Sequence, residues 1–369
     1  MVVEIGSEIR IRDTSKELYD WAQENLIIPN PQYRERERRG LWVGNTPKYL
    51  WLYHVDGSDL IVPTGVGKQV RQFLSEKDQI SIHLADNGIL DYKGTIPLYD
   101  YQKEAVEAMR HASCGILQSP CGSGKTQMGI ALAAMLGRKV LWVTHTQDLL
   151  TQSKTRAEQY FSPETLGTIT AGKAQVGSHM TFATVQTLCR IDLGQFRYTW
   201  DVVIVDECHR LAGSPTQVTM FYKVMNSLAA RHKYGLSATV HRSDGMIKSN
   251  CAVLGPVIYK VPDEAVADKT MQVRILQRNT DITVSRSCLD TDGTLDYNEL
   301  LSYLGGNRER NEMIVKDLVS QKGHSCLILA SRLEQLRNIR DVLPDEVRGT
   351  SAMSDGSMTS KKGKAEREA

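Results

Sequence analysis

The chain has 369 residues, 41% of them hydrophobic and 24% charged, with a formal net charge of +2, and is long enough for two or three domains with proper cores. No run of about 18 apolar residues is present, so no membrane span is expected, and the opening MVVEIGSEIRIRD lacks the basic-then-apolar pattern of a signal peptide. Seven scattered cysteines form no CxxC pair, which points to reduced thiols, a cytoplasmic location and no zinc site. The small net charge neither demands nor forbids a nucleic-acid partner, because phosphates can be gripped by backbone N–H groups and a few hydroxyls.

In chain order, three regions are expected: residues 1–93, 94–264 and 265–369. The first reads as a small α+β accessory domain. Ile5, Ile9 and Ile11 sit in a strand-like opening, and residues 15–25 form a short helix with Ser15 as N-cap. The run from Lys48 to Val55, the Asp56-Gly57 pair and Leu60–Val62 together read as a hairpin. Residues 33–45 (YRERERRGLWVGN) combine the charge of Arg38 and Arg39 with the stacking surface of Trp42, diluted by Glu35 and Glu37. A solvated charged helix end explains that segment equally well.

The second region alternates short apolar runs with helical patterns. The runs Cys114–Leu117, Lys139–Val143, Met180–Ala183, Asp201–Val205 and Lys233–Leu236 suit strands buried on both faces of a parallel sheet. Helices are expected between them, as at Tyr101–Arg110 and Thr126–Leu136. This βαβ rhythm is that of a RecA-like parallel sheet. In the third region a buried strand is expected at Ser325–Ala330 and a helix at Arg332–Val342, followed by a polar tail in which a further helix begins at Lys364. The acidic stretch from Asp290 to Glu299 has its glycine and glutamate at positions four and ten, not the six and twelve of a calcium loop, and reads as a turn into a helix.

The expected strand at Cys114–Leu117 runs into Ser119-Pro120-Cys121-Gly122-Ser123-Gly124-Lys125-Thr126 and then a helix. Glycines let successive backbone N–H groups curl round phosphate oxygens, and the helix start adds its positive dipole end. Lys125 would reach the β and γ phosphates, and Thr126 would hold Mg²⁺. Ser119 stands where the strict phosphate-loop pattern has glycine. Val202–Val205 ends in Asp206-Glu207-Cys208-His209, so a strand delivers two adjacent carboxylates to its C-terminal edge, where α/β sheets bind ligands. Asp206 would act on Mg²⁺, Glu207 would orient and deprotonate the attacking water, and His209 would couple the nucleotide to neighbouring motifs. The expected cofactors are ATP and Mg²⁺.

Gly122–Thr126, Asp206–His209 and Ser237-Ala238-Thr239 stand in the order of motifs I, II and III of the superfamily 2 helicases. The finer pattern resembles the XPB-like and phage-type branch of the DEAD/DEAH enzymes. Leu98-Tyr99-Asp100-Tyr101-Gln102 resembles that branch's adenine-contacting L-R-P-Y-Q; Gln102 matches, while Tyr99 and Asp100 replace arginine and proline. His145-Thr146-Gln147-Asp148-Leu149 and Phe182–Thr187 resemble strand-contacting motifs. The resemblance therefore implies backbone contacts to nucleic acid from Thr146, Gln147, Thr184 and Thr187. A capping or turn role fits any single one of these threonines as well. Arg242-Ser243-Asp244 resembles an R-E-D motif without its glutamate, and Ser237, Thr239 and Arg242 would couple hydrolysis to movement.

The resemblance implies two RecA-like domains with ATP between them, the second supplying an arginine finger worth roughly 10³–10⁵ in rate. No Q-x-x-G-R-x-x-R pattern follows residue 265, so the second RecA-like domain is expected to be incomplete, with motifs V and VI absent and turnover impaired. The leading expectation is an ATP-dependent DNA helicase or translocase, with RNA not excluded and a protein partner as a source of the missing motifs. The alternatives are the motor part of a restriction or DNA-remodelling complex, and a non-hydrolysing ATP- or nucleic-acid-binding remnant.

Overall fold

The computed structural model describes residues 1–353, leaving out 171, 213, 240–245, 269–273, 291–292 and 322. It divides into two compact units, 1–273 and 274–369.

The first unit begins with a small α+β layer. Its strands are β1 (Val2–Ile5), β2 (Glu8–Arg12), β3 (Ile27–Pro29), β4 (Tyr49–Trp51), β5 (His54–Asp56), β6 (Asp59–Pro63) and β7 (Gln79–Ile82). Five of them form a sheet in the order β5-β6-β2-β1-β7, antiparallel except for the parallel pair β1 and β7. Helix Lys16–Asn25 starts where the Ser15 hydroxyl accepts the Leu18 amide at 3.3 Å. Its buried Leu18 and Ala22, one turn apart, pack on Val3, Ile9 and Ile11 of the sheet.

The expected hairpin is only half right. The run from Lys48 to Val55 breaks at Leu52-Tyr53, two successive residues that are both buried. A strand sends neighbours to opposite faces, so the chain bends there. β5 pairs with β6 across Gly57, while β4 turns away to pair with β3.

The larger layer is an eight-stranded sheet of β8 (Cys114–Gln118), β9 (Val140–Thr144), β10 (Leu166–Thr170), β11 (Lys173–Gln175), β12 (Met180–Thr184), β13 (Val202–Val205), β14 (His232–Ser237) and β15 (Val257–Lys260). The order is β11-β10-β12-β9-β13-β14-β8-β15, and every pairing is parallel except β10 with β11 at one edge. β9, β12 and β13 are buried at every position, as continuous apolar runs require. Alternate residues feed two cores: Trp142, Ile204 and Tyr234 point into one, Leu141, Val143, Val203 and Val205 into the other.

The two layers share a core, since Val218, Met246 and Ala252 of the larger layer cluster with Val3, Ile9 and Leu60 of the smaller. Lys233 is fully buried at this junction, its ammonium donating to Ser7 O at 3.1 Å and Met225 O at 2.9 Å. Burial pushes its pKa down to about 8.

The second unit, taken by itself, is helical over its described residues: Tyr297–Gly306, Arg308–Ser320, Leu333–Asp341 and Asp345–Arg348. Its small core is Val315, Ile339 and Leu343. The strand expected at Ser325–Ala330 does not form. Among the described residues no strand lies beside it to complete a ladder, and Leu327 and Leu329 are more than four-fifths exposed. A strand needs a partner for its N–H and C=O groups, and apolar composition alone does not supply one. The acidic turn does lead into a helix, with Asp296 capping Asn298 and Glu299, while Thr291 and Asp292 lie outside the described residues. The helix expected from Lys364 also lies outside them. Among the described residues no helix is long and apolar enough to cross a membrane.

Candidate nucleotide-binding site

The C-terminal ends of β8, β9, β12, β13 and β14 lie along one edge of the sheet. They carry, respectively, the Ser119–Thr126 loop, Thr144–Gln147, Thr184–Thr187, Asp206–His209 and Ser237–Thr239. Residues far apart in sequence therefore meet because the strands are parallel.

The loop is held from within. Ser119 and Ser123 hydroxyls lie 2.6 Å apart, the Ser123 hydroxyl donates to Pro120 O at 2.7 Å, and the Ser119 amide donates to Ser237 O at 2.9 Å. Ser119, in place of glycine, thus ties the loop closed. Gly122 and Gly124 have φ of 79° and 81°, in the left-handed region that favours glycine. Helix Lys125–Leu136 starts at Gly124, whose added Cβ would lie 2.6 Å from Gln102 Nε2. Gln102 is buried; its Nε2 donates to Ser123 O at 2.8 Å and its Oε1 accepts the Tyr99 amide at 2.9 Å. Tyr101 also donates to Ser123 O, at 2.9 Å.

Lys125 Nζ reaches Glu207 Oε1 at 3.4 Å, and both side chains are largely buried. Thr126 Oγ1 donates to Asp206 Oδ2 at 3.3 Å, and the buried Ser153 hydroxyl donates to the same oxygen at 3.4 Å. The Glu207 amide caps Asp206 Oδ1 at 3.0 Å. Asp206 is almost wholly buried, and burial, followed by the adjacent Glu207 charge, pushes its pKa up to about 6. Glu207 itself adopts φ of 47°, a left-handed conformation that costs a non-glycine residue roughly 1–2 kcal/mol.

His209 Nδ1 lies 2.9 Å from Ser237 Oγ and 3.3 Å from Glu207 Oε2. The Ser237 hydroxyl donates to Thr239 O at 2.6 Å, which leaves its lone pairs for a proton on His209 Nδ1. His209 thus joins the carboxylate box to the Ser237–Thr239 turn. Arg242 lies outside the described residues.

The four residues expected at a nucleic-acid strand are separated by the fold into two kinds. Thr146 and Gln147 are exposed, at the start of helix Gln147–Glu158. Thr184 is buried and accepts the Thr187 amide at 3.3 Å, so it acts as the cap of helix Val185–Arg190. Thr146 likewise accepts the Leu149 amide at 3.3 Å. The Gln186 side chain donates to His145 O at 3.0 Å and binds the two helix starts together.

A cleft of about 840 Å³ opens over the loop, lined by Tyr99, Gln102, Lys125, Gln152, Arg156 and Glu207 among others. Ser153 and Arg156 were not legible as site residues. They lie on the helix after Thr146, and only the packing of that helix beside the loop brings them to the cleft.

Fold and site together define a P-loop nucleoside triphosphatase: a phosphate loop closing one strand of a parallel sheet and paired carboxylates closing another. Comparison with known proteins narrows the class. The family model for the type III restriction enzyme res subunit matches residues 95–242. The DNA 3'-5' translocase XPB2 of Sulfurisphaera tokodaii is 31% identical over 213 residues, 55% of this chain and 45% of its own length. The DNA 3'-5' helicase XPB of Mycobacterium tuberculosis is 27% identical, covering 45% of this chain and 30% of its own. A putative ATP-dependent RNA helicase, L396 of Acanthamoeba polyphaga mimivirus, is 23% identical over 81% of this chain and 59% of its own. A solved structure of the UvsW helicase from bacteriophage T4 shares the fold, with a TM-score of 0.51 at 20% identity over 70% of this chain and all of that one. Residues 95–242 are thus similar to the res-subunit family, and the chain is similar to helicases and translocases of the XPB type. The chain's matches span between about a third and three-fifths of the length of these curated relatives.

Proposed function

We propose that this chain hydrolyses ATP and couples hydrolysis to movement on DNA, as the ATP-binding part of a helicase or translocase. The carrying observation is the convergence of Lys125, Thr126, Asp206 and Glu207 at one sheet edge, through contacts of 3.3 and 3.4 Å between residues about 80 positions apart. Lys125 and the loop amides of Cys121–Thr126, with Gln102 behind them, hold the phosphates.

A hydroxyl and a buried carboxylate suit Mg²⁺, a hard cation that prefers oxygen. The raised pKa of Asp206 fits the same reading, since that carboxylate lacks a full counter-charge. Mg²⁺, when bound at Thr126 and Asp206, supplies neutralisation of charge on the β and γ phosphate oxygens. Glu207 orients the attacking water and takes its proton. His209, through Ser237 and Thr239, carries the state of the site to the neighbouring turn.

Nucleic acid is engaged along the same edge, at the helix starts that follow Thr146 and Thr184, where free amides and the dipole favour phosphate. Residues 1–93 form an accessory layer that extends this contact. Trp42 is 84% exposed and follows Arg38 and Arg39 in sequence, although both arginines reach Glu35. An exposed ring in a basic segment suits bases of a single strand. Similarity to the mimivirus RNA helicase favours RNA as a second substrate, and similarity to the restriction res subunit favours a motor within a restriction complex.

The test is phosphate release with no nucleic acid, with single- and double-stranded DNA and with RNA, using Lys125→Ala as the blank. ATPase activity stimulated by DNA and lost in Lys125→Ala is expected. Nucleotide binding without any turnover would sink the motor reading and leave a binding protein.

A further inference from the structure

Helix Ile247–Leu254 follows the Ser237–Thr239 turn in sequence and contacts the carboxylate box at Cys208. Asn250, on this helix, is completely buried and donates from Nδ2 to Cys208 O at 2.5 Å. The acceptor is the carbonyl of the residue after Glu207. Asn250 Oδ1, equally buried, has no hydrogen-bond partner among the described residues. An orphan acceptor in a core costs roughly 1–3 kcal/mol, and such groups call for a reason. A leucine has the same branching and carries no orphan acceptor, though it is bulkier.

The helix is itself clamped in place. Gly65 of the accessory layer lies so close that an added Cβ would sit 2.5 Å from Gly255 N and 2.6 Å from Ala252 O. Backbone therefore meets backbone, leaving the helix little room to shift. On its other side the Cys208 side chain is fully buried.

Glu207, one residue before the held carbonyl, sits at φ of 47°. A strained residue persists only where its surroundings over-determine it. The peptide on its N-terminal side is fixed by Asp206 N donating to Val143 O at 2.9 Å and by Glu207 N donating to Asp206 Oδ1 at 3.0 Å. On its C-terminal side Arg210 N donates to Glu207 O at 3.0 Å, and the Asn250 amide adds a side-chain bond to the next carbonyl.

We propose that Asn250 is a positioning residue for hydrolysis: its amide pins the Cys208 carbonyl and so keeps Glu207 in the left-handed conformation that aims its carboxylate at the cleft. This inference rests on the ATPase reading above.

The test compares wild type, Asn250→Leu and Asn250→Asp in the full chain, measuring kcat, KM for ATP, the Kd of ADP·Mg and the melting temperature. Asn250→Leu should lower kcat about tenfold or more while KM and Kd stay within about twofold. In Asn250→Asp an ionised carboxylate would face the carbonyl oxygen, whereas the protonated acid can donate to it. Burial raises the pKa of such a group, so the ratio of its kcat to that of wild type should rise as pH falls from about 8 to about 6. A folded Asn250→Leu with wild-type kcat would overturn the proposal. So would a loss of kcat matched by a loss of nucleotide affinity, which marks a general structural role. If Asn250→Leu does not fold, a flat pH ratio for Asn250→Asp overturns it instead. Wild-type protein that binds ADP·Mg but never turns over ATP removes the motor reading and this inference with it.

Discussion

Replacing Asp206 by asparagine should stabilise the nucleotide-free protein while abolishing turnover. The magnitude follows from the carboxyl group's surroundings. Its pKa rises from an ordinary 3.8 to about 6, chiefly through burial and secondly through Glu207. That is a difference of about 3 kcal/mol against the ionised folded form. The folded state keeps this proton up to about pH 6 and the unfolded chain releases it near 3.8, so the folded state binds more protons in between. Stability from this group is fully present below about pH 3.8, is lost as pH rises through about 6, and is absent at neutral pH. Asparagine stays neutral throughout. It also fits the existing contacts: Oδ1 would still accept the Glu207 amide, and both partners of Oδ2 are hydroxyls, of Thr126 and Ser153, which can turn to accept instead of donate. A gain of roughly 1–3 kcal/mol near pH 7.5 is expected, shrinking by about half at pH 5. Urea unfolding followed by tryptophan fluorescence would report it, since Trp142 and Trp200 are buried in the two cores of the large sheet. A variant no more stable than wild type at pH 7.5, or a gain that does not change with pH, would refute the reasoning.

Two further substitutions probe the scaffold. Gly124→Ala puts a methyl group at φ of 81° and 2.6 Å from Gln102 Nε2; the strain of roughly 1–2 kcal/mol should weaken fluorescent-nucleotide binding about tenfold. Asp201→Ala removes a buried carboxylate that accepts the amides of Asn87 at 2.8 Å and Lys139 at 3.2 Å. Its thermal melt should show a loss of about 2 kcal/mol with nucleotide affinity retained in the folded protein.

The five strands expected in the motor region were legible because each is a short apolar run buried on both faces, a pattern that needs no knowledge of neighbours. β10 carries two threonines, β11 a lysine and a glutamine, and β15 a tyrosine and a lysine, and they lie at or next to the edges, where polar positions are tolerated. Their identity as strands depends on the partner beside them. The failure at Ser325–Ala330 is the converse: the composition is apolar, but no partner lies beside it among the described residues. In the site, Lys125, Thr126, Asp206 and Glu207 could be read from local order, since loop and box each sit at a strand end. Ser153 could not. Its hydroxyl matters only because helix Gln147–Glu158 passes beside Asp206, a long-range fact. Thr184 shows the opposite limit: the residue was legible, but burial gives its hydroxyl to the Thr187 amide.

The unfavourable terms are not scattered. Asp206 carries a raised pKa, Glu207 a left-handed backbone, and Cys208 O takes the amide of an asparagine whose other half has no partner among the described residues. All three fall within three consecutive residues, directly after β13, a strand with every side chain buried and every pairing regular. A sheet of that kind can carry strain at its edge that a loop on the surface would relax. The costs also differ in what relieves them. A cation at Thr126 and Asp206 would offset the first, whereas the second and third are terms of backbone and core that a cation does not touch. Nucleotide with Mg²⁺ should therefore stabilise wild type more than Asp206→Asn, by an amount that falls with pH as Asp206 takes up its proton. It should stabilise Asn250→Leu as much as wild type, because the helix acts on the backbone of the turn and not on the phosphates.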